Sequence, residues 1–330
     1  MSFLLGGLIT TTILTKPINK FNGKNYLVPD AIRYFFFGII GCVIGTGFKG
    51  ISSYLSNEIV ISFFSVICFA IICQYFNYLV FRKIGGYDKV TSFFSGTPGG
   101  LLESINSGEK YGGDERIITI QHFLRIIIVV LLVPLFFIVF FETPKILEEE
   151  ISLKTPINYN LELLFLTTLT GLILGYRTSI PAKYFICPLI LSACLNVSGT
   201  VNFSSPDWLL FISQLIVGIA LGAKLLGIDA NLIKKCLLLS MISTFTMLVT
   251  AFLLSVLLIG FLKIPQEILF IALVPGGVTE MSLMAVMLSS DATFVTIHHI
   301  WRILVIVIEI LILNRFGTFK RLSTHMQKNN

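Results

Sequence analysis

The sequence predicts an all-α polytopic membrane protein made of two homologous repeats. Three observations carry the prediction: apolar runs long enough to cross a bilayer, a set of residues that recurs at an offset of 177 positions, and a Pro-Gly-Gly interruption placed once in each half. Of the 330 residues, 55% are hydrophobic and 13% charged, and the mean hydropathy is +0.88, too apolar for a soluble fold with a charged surface. The runs Ile59 to Phe81, Ile117 to Phe141, Cys236 to Leu262 and Phe294 to Leu313 each approach or exceed the roughly 20 residues that span a ~30 Å hydrocarbon core as helix. A membrane barrel would alternate polar and apolar positions, and these runs do not.

Taken in order, the first repeat (1–141) reads as spans near 3–15, 30–48, 59–81 and 117–141. The first of these lacks a basic stretch before it and a small-residue cleavage site after it, so a retained helix is expected and not a signal peptide. Residues 142–160, with Pro144, Pro156 and the acidic run Glu148 to Glu150, read as a solvated linker. The second repeat (161–314) gives spans near 161–176, 184–199, 207–226, 236–262 and 294–313, one helix more than the first, and residues 315–330 form a basic tail.

That extra helix turns the second repeat upside down relative to the first. Lys and Arg fall overwhelmingly on one side, from Lys16, Lys20, Lys24 and Arg33 to Lys320, Arg321 and Lys328, provided the Pro-Gly-Gly segments dip into the bilayer and return. The asymmetry weakens if those segments cross, so the positive-inside rule prefers the re-entrant form. The expected topology has nine spans, an outside N-terminus and a cytoplasmic C-terminus. An inverted pair of broken segments near the midplane is the organisation of many secondary transporters.

The repeat itself is read from polar residues, because apolar helices share Ile and Gly by composition alone. Pro29, Asp30, Gly41 and Gly45 fall on Pro206, Asp207, Gly218 and Gly222, while Glu103, Asp114, Thr119, His122 and Arg125 fall on Glu280, Asp291, Thr296, His299 and Arg302. Each repeat therefore carries G-x-x-x-G on a helix, most often a device for close helix packing, then P-G-G-x-x-E, then T-x-x-H-x-x-R. Asp114 and Asp291 precede helices and are expected as N-caps.

Pro98-Gly99-Gly100 and Pro275-Gly276-Gly277 break the helix, since proline lacks an N–H and the glycines let the chain leave helical geometry. Polar backbone freed at that depth is tolerated only where protein or a water-filled cavity satisfies it. Glu103 and Glu280 follow where helix resumes, and an acid near the bilayer centre costs on the order of 3 kcal/mol, so it faces a partner or a cavity. The plain alternative is an acidic first-turn residue at the water interface. His122 and Arg125, like His299 and Arg302, are three apart and share a face with Thr119 or Thr296, which must point inward. A structural reading, with each arginine paired to a glutamate to lock the broken segment, stands beside direct contact with a solute. His298, whose place in the other repeat is taken by Gln121, reads as packing or polar lining.

The paired P-G-G-x-x-E and H-x-x-R motifs resemble those of the bacterial AbrB-type membrane family, described as an internal duplication. The resemblance covers nearly the whole chain. Members carry the labels of regulators of gene expression or ammonia monooxygenases, and the soluble DNA-binding proteins of the same name look unrelated.

The expected function is a secondary transporter or exporter of a small solute, with a midplane site built from the two P-G-G-x-x-E segments. The alternative is a membrane-embedded sensor that affects gene expression. An enzyme is not expected: four histidines, of which His122 and His299 lie in different repeats and His325 in the tail, make a poor copper set. The six cysteines lie mostly within apolar runs without metal-ligand spacing, so no cofactor is expected. The expected partners are the lipid bilayer and a small solute or ion, with homo-oligomers compatible. Direct nucleic-acid binding is not expected, because the net charge of +6 is dispersed over helix ends.

Overall fold

The computed structural model describes residues 2–14, 29–48, 57–141, 160–180, 182–199, 205–223, 230–288 and 290–315. Most of the 142–160 linker, nearly all of the 315–330 tail with His325, and Lys16, Lys20, Lys24 and Lys49 lie outside them. Among the described residues the chain is helical and carries no strand. The helices are α1 (Ser2–Leu14), α2 (Asp30–Thr46), α3 (Asn57–Leu79, prolonged by a π-turn at Val80–Ile84), α4 (Lys89–Gly96), α5 (Leu101–Lys110), α6 (Glu115–Phe140), α7 (Leu161–Tyr176), α8 (Lys183–Val197), α9 (Asp207–Ala223), α10 (Ala230–Ile259), α11 (Gln266–Leu273), α12 (Val278–Met287) and α13 (Ala292–Arg315).

A helix stands at each of the nine expected spans. Among the described residues, four stretches are long and apolar enough to cross a membrane: Ile59–Ile84, Glu115–Phe140, Asn231–Ile259 and Ala292–Arg315. The starts of α2 and α9, α4 and α11, α5 and α12, and α6 and α13 are each 177 positions apart.

The long helices turn apolar side chains outward and polar ones inward, the reverse of a water-soluble helix. On α3, Val60, Phe64, Ile71 and Tyr75 are exposed while Ser62, Ser65, Gln74 and Asn77 are buried. On α10, Leu238, Phe245, Leu253 and Val256 are exposed while Ser240, Ser243 and Thr244 are buried. An apolar exterior around polar contacts is stable only where hydrocarbon is the solvent. The chain is an integral membrane protein.

Two compact units divide the chain, and each draws on both halves of the sequence. The first comprises Met1–Ser56, Val130–Gly227 and Val278–Thr296. In it α2 packs against α7, α8 and α9, and α1 against α9. The close approach comes from glycine. A Cβ on Gly41 would lie 2.3 Å from the Phe185 carbonyl oxygen, one on Gly45 2.6 Å from that of Leu189, and one on Gly218 2.2 Å from that of Leu4. The G-x-x-x-G helices thus pack backbone to backbone, as their spacing predicts. Ile39, Cys42, Leu164 and Leu209 form the core beside them, and Ser192 Oγ donates to the Cys42 carbonyl at 2.6 Å.

The second unit comprises Asn57–Val129, Ile228–Gly277 and Ile297–Asn330. Its core joins Ala70, Val90, Phe94, Ile118, Ile306 and Ile310. Asp114 caps α6 through the amides of Arg116 at 3.0 Å and Ile117 at 3.2 Å. In the first unit Asp291 does the same for α13 through Phe294, at 2.9 Å.

Candidate functional site

Both helix interruptions begin one residue before proline, where the ring clashes with a helical predecessor. Thr97 (φ −60°, ψ 128°) ends α4 and Val274 (φ −53°, ψ 135°) ends α11. After Pro98 and Gly99 the chain passes through Gly100 in the left-handed region (φ 60°, ψ 49°) and re-enters helix as α5. A side chain at Gly100 would be strained there and would meet Ile306 Cγ2 at 3.0 Å.

A helix that stops in a buried place strands its last carbonyl groups, which must find donors. Four side chains supply them at the end of α4. Gln74 Nε2 donates to the Phe93 oxygen at 2.9 Å, His122 Nε2 to that of Phe94 at 2.8 Å, Asn77 Nδ2 to that of Gly96 at 3.3 Å, and Arg125 to that of Thr97. Asn77 is itself held by Ser243 Oγ at 2.9 Å and Thr246 Oγ1 at 3.2 Å.

At the end of α11, His299 Nε2 donates to the Ile271 oxygen at 3.1 Å. Arg302 spreads over three further carbonyls: those of Leu273 at 3.1 Å, Val274 at 2.8 Å and Gly276 at 2.8 Å. The offset of 177 is kept in the bonds. His122 to Phe94 and Arg125 to Thr97 correspond to His299 to Ile271 and Arg302 to Val274.

Each histidine is fixed in tautomer by its arginine. Arg125 donates to His122 Nδ1 at 2.9 Å and Arg302 to His299 Nδ1 at 2.8 Å. A guanidinium only donates, so Nδ1 is the acceptor and the ring proton sits on Nε2, facing the backbone oxygen. Both rings are neutral in this arrangement. Arg125 and Arg302 are 5% and 1% exposed, and in both the Nε–H has no partner among the described residues.

The expected pairing of arginine with glutamate is not what the structure contains. Among the described residues neither arginine is paired with a carboxylate, because the carbonyls left by the break take up the guanidinium donors. Glu103 is half-buried in the first turn of α5, whose start carries no side-chain cap. Glu280 is buried in the first turn of α12, within the first unit. Thr119 is half-buried and takes no part in the His122–Arg125 bonds. Thr296, in the first unit, bonds Ser282 Oγ and the Ala292 carbonyl oxygen, both at 2.6 Å. Gly99 and Gly100, which follow Pro98, approach α13, the helix that holds the other break: a Cβ on Gly99 would lie 3.4 Å from Arg302 Nε.

His298 lines the polar interior as expected, with Nε2 2.8 Å from Ser62 Oγ and its ring edge-on to Phe63. Gln121 likewise contacts Ser240 on α10 and Tyr87. Sequence reasoning missed Gln74 and Asn77, whose signal was two amides three residues apart inside the apolar run 59–81. It also missed Glu309, a half-buried acid in the middle of the α13 span. Among the described residues, no group of three His, Cys, Asp or Glu side chains is arranged to hold a metal ion.

Comparison with known proteins bears on this arrangement. The profile of the AbrB family, described as "Transition state regulatory protein AbrB", matches residues 3–317. A protein of Escherichia coli (strain K12) named "Putative regulator AbrB" is 22% identical over 209 residues, 62% of this chain. The alignment spans 59% of that protein's own length, under two thirds of it. No solved structure matches the chain. With the match extending across both Pro-Gly-Gly breaks and nearly the whole sequence, the chain belongs to the AbrB-type membrane family.

Proposed function

We propose that the protein is a secondary transporter or exporter of a small solute, built from two inverted repeats whose broken segments are re-entrant. The observation that carries this reading is the pair of helix ends in the second unit, each stopped one residue before a proline and held by a buried His–Arg pair. A protein needing only to anchor itself gains nothing from a break that requires so many donors; one that passes a polar solute does.

The re-entrant form is supported at the first break. The Asp114 amide, just past α5, donates to Thr91 Oγ1 at the start of α4 at 2.8 Å, so the segment's entry and exit are one hydrogen bond apart. Eight and ten residues of helix, about 12 and 15 Å at 1.5 Å per residue, suit a segment reaching the midplane. Inversion follows from the extra helix that opens the second repeat, α7, which has no counterpart at the offset of 177 in the first. The positive-inside balance supports an outside N-terminus and a cytoplasmic C-terminus in a bacterial inner membrane.

Glu280 and Glu103 are the candidate proton or ion carriers. Purified protein in liposomes is expected to move a solute or dissipate an ion gradient. Glu280→Gln is expected to slow that movement about tenfold, equivalent to about 1.4 kcal/mol in the barrier. Flux indifferent to both Glu103→Gln and Glu280→Gln would remove the glutamates from the mechanism.

The name of the E. coli relative favours a second reading, a membrane sensor that affects gene expression indirectly. A deletion strain with an altered transcriptome and unchanged solute flux would select it over transport.

A further inference from the structure

We propose that Glu309 is a proton-binding site, the carboxyl that couples transport to a proton gradient. The coupling role rests on the transport reading, whereas the binding of the proton stands without it. The acid is set apart by its place. Among the described stretches long enough to cross a membrane, two contain an acid: Glu115, which opens α6, and Glu309, inside α13. Centred on the bilayer, the 24 residues of α13 put Glu309 about 8 Å from the midplane, within the ~15 Å half-thickness of the hydrocarbon core. Its counterpart at the offset of 177 is Leu132, so the repeated architecture does not call for an acid there. Helix α5 runs beside this part of α13, since a Cβ on Gly100 would meet Ile306 Cγ2 at 3.0 Å and the Tyr111 hydroxyl donates to Asn314. Glu309 therefore lies at a depth between the first break and the outer end of α5.

The second observation is what surrounds it. One turn away on the same helix are Val305, Ile306, Ile312 and Leu313, all apolar, and three of them pack into the core shared with α3, α4, α5 and α6. Among the described residues Glu309 makes no hydrogen bond and no ion pair. The charged and titratable groups of the packed helices serve other contacts or lie at their ends. His122, Arg125 and Arg302 hold the two breaks, and Cys73 of α3 lies near both arginines. Glu103 is in the first turn of α5 and Lys110 in its last, over the Tyr111 ring. Lys89, Glu115 and Arg116 stand at the starts of α4 and α6, and Arg315 in the last turn of α13. None of them acts on Glu309. An ionised carboxylate alone among hydrocarbon side chains is costly, and taking up a proton removes the charge. A metal cation would need several further oxygen ligands, and no group of acids assembles around Glu309 among the described residues. A proton needs only the carboxyl, and half-burial leaves that group open to exchange.

The test uses dicyclohexylcarbodiimide, an apolar reagent that adds to a protonated carboxyl and not to a carboxylate. The full chain in neutral detergent is treated from mildly acidic to mildly alkaline pH, and the adduct is mapped to its residue by mass spectrometry. Label on Glu309 is expected at acidic pH, falling about tenfold per pH unit once the carboxyl ionises. Glu309→Gln is expected to lose the α13 label while melting no lower than the wild type, since the substitution breaks no bond. Absence of label on Glu309 at every pH overturns the proposal, and so does label that does not change with pH. Protection by sodium chloride but not by choline chloride of matched ionic strength also overturns it, because the ligand would then be a metal cation. A Glu309→Gln protein that melts well below the wild type does the same, placing the carboxyl in a network of bonds. In liposomes, pH-dependent label without any flux would defeat the transport reading and leave the site standing. Solute flux that ignores an imposed pH gradient and persists in Glu309→Gln would remove the coupling role and leave the transport reading intact.

Discussion

Arg302→Met is expected to destabilise the protein by about 3 kcal/mol, taking about 1 kcal/mol for each of the three buried carbonyls it would leave without a donor. Methionine keeps the length and apolar stem of the side chain, so the loss is one of hydrogen bonds and not of volume. His299 loses the donor to Nδ1 as well, and its ring is freed to turn. Arg125→Met should be milder, because Arg125 serves one carbonyl while Gln74, His122 and Asn77 hold the rest of the α4 end. Arg302→Lys should fall between them, since an ammonium keeps the charge but not the planar fork. Thermal melts of the full chain in detergent, with limited proteolysis to detect opening at Pro275–Gly277, give the ranking. Equal melting temperatures for the wild type and Arg302→Met would mean that the break does not depend on the arginine.

The breaks were legible in the sequence because each joins a proline to two glycines, whereas Pro134 and Pro188, without such a pair behind them, lie inside α6 and α8. The inward position of His122, Arg125, His299 and Arg302 was legible for a similar reason: no lipid-facing site accommodates them. Their partners were not. A guanidinium satisfies itself equally with a carboxylate or with several carbonyl oxygens, and residue types alone favour the carboxylate because carbonyls are present at every position. Only the placement of the α4 and α11 ends decides the matter. Gln74 and Asn77 escaped notice because their counterparts at the offset of 177 are Ala251 and Leu254, so the repeat gave no hint of them.

That difference carries information about the two breaks. The α4 end is held by side chains from two helices, α3 and α6, with α10 supporting Asn77. The α11 end is held by α13, through His299 and Arg302. A break braced by one helix moves with that helix, whereas a break braced by several resists such motion. Within the second unit the α11 end is therefore the one whose side-chain bonds can be rearranged by a shift of a single element.

Gly41→Leu is expected to destabilise the first unit by about 3 kcal/mol, the upper range for forcing extra volume into a packed contact. The obstruction is backbone, since even the first added carbon would lie 2.3 Å from the Phe185 carbonyl oxygen, and α8 cannot turn a carbonyl aside as a side chain could be turned. The helices would have to separate along their length, opening the bond from Ser192 Oγ to the Cys42 carbonyl and the core around Ile39 and Leu164. Gly218→Leu should act similarly at the contact with α1, where the corresponding distance to the Leu4 oxygen is 2.2 Å. Gly6→Ala is the matched control: nothing lies within 4 Å of the added carbon, and replacing glycine in a helix interior favours the helix by up to about 1 kcal/mol. Melting temperature and the monodisperse fraction in detergent distinguish these outcomes. A Gly41→Leu protein that melts with the wild type would show that the α2–α8 contact is not a determinant of the fold.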